Sequence, residues 1–183
     1  FKGTSNRSAE EIARSVDSIG GNLDAFTSKE LVSYNTKVLD EHLPVAFDVL
    51  SDLVLNPLFE HEDVEKEKGV ILEELKMEED NPEYLAHETF TSNFWKGQPL
   101  GRPILGTKYS IKSFNPERIR QYFTKVYAPG NICITAAGHL EHEHLVRLAE
   151  ERFANLPDQG FQREAGPTLS HPSIVLKSKK SLE

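Results

Sequence analysis

The chain has 183 residues, 38% hydrophobic and 27% charged, which is enough apolar material for one ordinary soluble domain. Its formal net charge of −8 excludes the basic surface that phosphate contacts require, so no nucleic acid is expected as a partner, while basic or neutral peptides are compatible. There is no run of apolar residues long enough for a membrane span, and Phe1-Lys-Gly-Thr carries neither an initiator Met nor a signal-peptide pattern, which suggests that residues precede it.

Ser8-Ala-Glu-Glu11 is a capping-box pattern, and Ile12, Val16 and Ile19 follow at helical spacing until Gly20-Gly21 close the segment. A short amphipathic helix is expected there. Leu23–Thr27 and Leu31–Leu39 alternate and carry β-formers on either side of Ser28-Lys-Glu30, the pattern of a β-hairpin. Leu43–Leu55 places apolar residues at 43, 46, 47, 50, 53 and 54, a buried helix face that Asn56-Pro57 ends because proline cannot continue the ladder. Glu62–Glu79 keeps Val64, Ile71 and Leu75 on one stripe of an otherwise charged helix, and a third helix begins near Pro82. Gly97–Thr107 holds three Gly and two Pro and reads as a long loop. Asn115-Pro116-Glu117 then supplies a cap and a first-turn proline before Ile119, Tyr122, Phe123 and Val126.

Pro129-Gly130 turns the chain into a strand expected over 131–137, with the single Cys133 buried in it and unable to form an intrachain disulfide. Gly138 leads into a helix from Glu141 to Phe153, ended by Leu156-Pro157. Residues 158–172 lack periodicity and read as a linker or loop, and Ser173–Lys177 as one last strand. The order predicts an α+β class: a two-layer sandwich with helices packed on one face of a largely antiparallel sheet.

Two carboxylates on the helix 62–79 could carry chemistry. Glu67 and Glu74 are seven residues apart, so they leave the same face about 10 Å apart along the axis, where one could bind a metal while the other holds the ligands in place. On spacing alone, acidic residues on such a helix simply face water. His139, His142 and His144 do not converge on one point and more simply begin the helix that follows, with Glu141 and Glu143 complementing its dipole. Neither a phosphate-cradling glycine loop nor a GxSxG nucleophile is present. Asp24-Ala-Phe-Thr-Ser28 has the character of an edge strand that could accept an extended peptide by main-chain pairing, or of an ordinary hairpin arm.

Eight segments in sequence order carry a likeness to a known family. Phe1-Lys-Gly-Thr, Gly20-Gly-Asn-Leu-Asp-Ala-Phe-Thr-Ser28, Asn56-Pro-Leu-Phe59, Glu67-Lys-Gly-Val-Ile-Leu-Glu-Glu74, Asp80-Asn-Pro82, Pro99-Leu-Gly101, Ile104-Leu-Gly-Thr107 and Tyr127-Ala-Pro-Gly-Asn131 resemble the first domain of the pitrilysin-type zinc peptidases. That class contains pitrilysin, insulin-degrading enzyme and mitochondrial processing peptidase.

The resemblance implies that residues 1–157 are the main part of an N-terminal peptidase-like domain lacking its HxxEH helix, with 158–183 leading onward. In the family that motif lies just ahead of a stretch similar to Phe1-Lys-Gly-Thr and supplies two histidine ligands and the general base. The third ligand is a downstream glutamate, a place Glu74 fits, and Glu67 matches the carboxylate that supports it. The implied chemistry is zinc-assisted hydrolysis of a peptide substrate, with Asp24, Ala25, Phe26 and Thr27 offering it a strand edge. Asp24 stands where the family often has Asn, and its carboxylate accepts hydrogen bonds without donating them. The implied partner is a second peptidase-like domain or subunit, and this fragment alone is expected to be inactive.

Two alternatives remain at this level: a noncatalytic scaffold subunit of the same fold, and a peptide-binding module without chemistry. The compartment stays open among bacterial cytoplasm, periplasm and mitochondrial matrix.

Overall fold

Local signals set the first elements. The computed structural model describes residues 1–157 and 168–178, so most of the expected linker at 158–172 lies outside the described residues. Helix α1 spans Ala9–Asp17 and starts as its capping box predicts: Ser8 Oγ accepts the Glu11 N–H, and the Glu11 carboxylate accepts the Ser8 N–H at 2.7 Å. Gly20 follows at φ +64°, a left-handed value that glycine adopts without strain. At Gly21 a Cβ would lie 2.9 Å from side-chain carbons of both Val16 and Val38, so only glycine allows that close approach.

Strands β1 (Asn22–Thr27) and β2 (Val32–Lys37) form the expected hairpin, closed by Ser28 N–H donating to Leu31 O. Helix α2 (Leu43–Leu55) ends at Asn56-Pro57, and α3 runs His61–Asp80. Helix α4 (Pro82–Phe94) is capped by Asn81, whose side chain accepts from the N–H groups of Glu83 and Tyr84. The glycine-rich loop contains a 3₁₀ turn at Pro99–Gly101, and then α5 (Lys108–Lys112), which the periodicity did not anticipate because it is barely more than one turn. Helices α6 (Pro116–Val126) and α7 (His142–Phe153) complete the described elements.

Two expectations fail. Residues 132–137 carry no regular secondary structure, because no neighbouring strand among the described residues pairs with them, and Cys133 is exposed rather than buried. Ser173–Lys177 likewise forms no strand. Among the described residues the sheet is therefore the β1–β2 pair, and the class is α+β.

The described chain divides into two compact units. The first comprises, of the described residues, 1–26, 32–60 and 117–157. Its core joins Ile12 and Val16 of α1 to Val49 and Leu53 of α2, and Leu23 of β1 packs against that cluster. Phe47 meets Phe153 of α7 edge-on at 6.3 Å, and Phe59 meets Phe123 of α6 at 5.5 Å. The second unit comprises, of the described residues, 27–31, 61–116 and 168–178; in it α3 packs with α4 and α5, and Val64, Leu75 and Ile111 are buried.

Candidate functional site

Each predicted site residue sits on a regular element. Glu67 and Glu74 lie on α3, in the second unit, on one face as their spacing requires. Glu74 is exposed; Glu67 is half-buried, with its Oε2 oxygen out of solvent. The field near the end of this helix is negative. Tyr84 of α4 titrates above its ordinary range, first because of burial and then because of the charges of Glu88, Glu78, Glu74 and Glu79. Such a field favours a cation beside Glu74.

Among the described residues no three His, Cys, Asp or Glu side chains converge on one point. A zinc site takes three or four nitrogen, sulfur or oxygen ligands, so the donor set here fits as one exposed carboxylate with a neighbouring carboxylate one heptad away, not as a complete site. His139 is held by Asp40 Oδ2 at 2.5 Å, and His142 and His144 open α7.

Asp24, Ala25, Phe26 and Thr27 form the C-terminal part of β1, and all four side chains are exposed. One edge of β1 pairs with β2, and among the described residues no strand covers the other. The turn that follows is fixed within the second unit. Lys29 Nζ lies 3.2 Å from Glu88 Oε1 and donates to Arg102 O at 2.6 Å, with both charged side chains largely buried.

The sequence did not point to the buried polar centre of the first unit. Asp52 of α2 is 5% exposed and accepts hydrogen bonds from Thr4 Oγ1 (2.6 Å), Asn6 Nδ2 (2.6 Å), Arg7 (2.7 Å) and Asn56 Nδ2 (2.9 Å). Arg7 also pairs with Asp48, which in turn pairs with Arg152 of α7. Residues 3–7 are held against α2 and the turn after it by this network, by Ser5 N–H donating to Asn56 O and by Leu58 N–H donating to Gly3 O. The available signal was a carboxylate three residues after Val49, on the buried side of an apolar helix.

A family model for the insulinases, Peptidase family M16, matches residues 1–108, and a model for the peptidase M16 inactive domain matches residues 113–181. YmxG of Bacillus subtilis, an uncharacterized zinc protease, is 42% identical over 160 residues, 87% of this chain and 39% of that protein. A zinc protease of Streptomyces coelicolor, likewise uncharacterized, is 40% identical over 153 residues, 84% of this chain and 33% of that protein. This chain thus spans between a third and two-fifths of the length of these relatives. A protease from Helicobacter pylori superposes with a TM-score of 0.83 at 19% identity, over 92% of this chain and 41% of that one. The periplasmic protease PqqL of Escherichia coli gives 0.80 at 20% identity, over 92% of this chain and 19% of that one. At those identities the likeness speaks for the fold.

Proposed function

The chain belongs to the insulinase family of peptidases, M16, and on that premise we propose that it is part of a zinc metalloendopeptidase in which Glu74 is the distal metal ligand. The observation that carries this reading is the geometry of α3: an exposed Glu74 one heptad after Glu67, within the stretch the family model matches. Zinc, when bound, supplies polarisation of a scissile carbonyl and activation of water. Glu74 would complete the ligand set with a hard oxygen donor, and Glu67 would hold neighbouring ligands in place through its half-buried carboxylate. The exposed edge at Asp24, Ala25, Phe26 and Thr27 would take an extended peptide by main-chain N–H and C=O pairing, which aligns a substrate with little regard to its side chains.

The remaining histidine ligands and the general base belong to an HxxEH motif, which this sequence does not contain. In this reading residues 1–157 are the main part of an N-terminal peptidase-like domain, 158–183 lead onward, and a second peptidase-like domain closes over the peptide. The match of residues 113–181 to the inactive-domain model supports that partner.

The test uses a longer form of the protein that includes the HxxEH motif, with Glu74→Gln and Glu67→Gln variants, read by metal content after dialysis and by peptide cleavage. Glu74→Gln is expected to lose both zinc and cleavage; Glu67→Gln is expected to weaken zinc affinity by about 10- to 100-fold. Full zinc retention by Glu74→Gln would return that residue to an ordinary surface carboxylate. A longer form that binds no zinc at all would favour a noncatalytic scaffold of the same fold.

A further inference from the structure

Helix α4 presents an apolar stripe that is partly covered by a stretch of the same unit without regular secondary structure. Leu85, Ala86, Phe90 and Phe94 recur at helical spacing and form the floor of a groove of about 540 Å³, across which residues 171–177 pass, with His171 and Val175 among its walls.

The way this stretch is held is specific in kind. Gln98 Oε1 accepts the Leu169 N–H at 2.9 Å, and Gln98 Nε2 donates to the carbonyl of the same Leu169. Two residues on, the His171 N–H donates to Phe94 O at 2.8 Å. Both contacts are to backbone groups two residues apart, the spacing at which an extended peptide would present one edge. A carboxamide that pairs with both backbone groups of one residue recognises the peptide bond itself and asks nothing of the side chain. The floor beneath offers apolar contact to side chains on one side of such a peptide.

The resident stretch fills this site incompletely. Val175, which it lays in the groove, is still 43% exposed, and Phe90 of the floor is 58% exposed. A backbone-reading clamp over an apolar floor with a loosely seated occupant is the arrangement of an exchangeable peptide site.

We propose that the α4 groove, with Gln98 as its clamp, is a binding site for an extended peptide with apolar side chains at alternate positions. Segment 168–177 is its internal occupant and is displaced when such a peptide binds. The occupancy is a competition: apparent affinity for an outside peptide is reduced by the fraction of molecules whose groove is already closed.

Trp95, the single tryptophan, lies against Phe94 with ring centroids 5.2 Å apart and reports on the groove by its fluorescence. The experiment titrates the full 183-residue chain with a synthetic peptide of sequence Thr-Leu-Ser-His-Pro-Ser-Ile-Val-Leu-Lys-Ser, following Trp95 emission, and measures hydrogen exchange at Leu169 and His171. In Val175→Asp the internal occupant is unseated while the floor and clamp are kept. This variant should show faster exchange at both amides and bind the peptide on the order of tenfold more tightly than the unaltered chain. Gln98→Ala added to Val175→Asp, where the internal occupant no longer competes, should bind it at least several-fold more weakly than Val175→Asp alone. Unchanged circular dichroism in both variants separates these effects from unfolding. Peptide binding that is absent from Val175→Asp, or equally strong when Gln98→Ala is added to it, overturns the proposal. The readout is binding, so its failure and a failure of the peptidase reading are distinguishable.

Discussion

Asp52 is the residue on which the first unit's polar architecture converges. Burial by itself would raise its pKa, but hydrogen bonds from Thr4, Asn6, Asn56 and Arg7 outweigh burial and hold the carboxyl below its ordinary range. A group whose folded pKa is depressed contributes stability that is complete above the unfolded value of about 4 and is lost as pH falls through the folded value. Asp52→Asn removes the charge while Arg7 keeps Asp48 as its partner, and is expected to cost about 1–2 kcal/mol at neutral pH, measured as a lower urea midpoint. The same variant should show a flatter acid limb when stability is followed below pH 4, since the titration that weakens the native protein there is gone; an unaltered acid limb would place the pH sensitivity elsewhere. Tyr127 offers a milder case. Burial, then the 2.7 Å hydrogen bond with Tyr34, pushes its hydroxyl above the ordinary phenol range. Tyr34→Phe is expected to cost about 1 kcal/mol by the loss of that bond.

At the scale of elements, the helices were legible because their start and stop signals are local. Ser8 with Glu11, Asn81 with Pro82, and Asn56-Pro57 each act on backbone groups within four residues, so the sequence carries the whole cause. Ser8→Ala should therefore destabilise the protein by about 1 kcal/mol, a shift of thermal midpoint that Thr at the same position restores. Gly21 belongs to a different kind of constraint. Its importance comes from the approach of Val16 and Val38, which are close only once α1 and the hairpin have packed, and Gly21→Val should destabilise far more than Ser8→Ala because three side chains would claim the same space. The expected strand at 131–137 shows the converse. Its β-formers are real, but a strand exists by pairing with another, and among the described residues 132–137 find none. Cys133 is exposed for the same reason.

For the molecule as a whole, the charge balance and the ligand count set the expectations. In the proposed reading the 183-residue chain contributes one metal ligand, Glu74, and among the described residues no cluster of three donors supplements it. Gel filtration of the chain with added zinc should retain no stoichiometric metal, and incubation with peptides should give no zinc-dependent cleavage; retained metal or cleavage by this chain would overturn the division of the site between Glu74 and an HxxEH motif. Large apolar side chains also stand exposed at Phe26, Val70, Met77 and Phe90. A rise in the fluorescence of a hydrophobic dye, with concentration-dependent association, is expected, and a dye-silent monomer would contradict it.

The sequence by itself determined the α+β class, the positions of the main helices and the hairpin, and the family, through eight short segments whose order is specific and whose turn and cap chemistry is local. It also placed Glu67 and Glu74 on one helix face, since a seven-residue spacing fixes that before any packing occurs. Tertiary structure alone decided which carboxylate would be buried: Asp52 became the centre of a network because α2 turned it toward Thr4, Asn6 and Arg7, residues more than forty positions away in the chain. It decided as well that 132–137 would lie unpaired and that residues 169–177 would lie over α4 rather than form a strand. Pairing and burial depend on which distant segments meet, and a pattern read along the chain holds no record of that meeting.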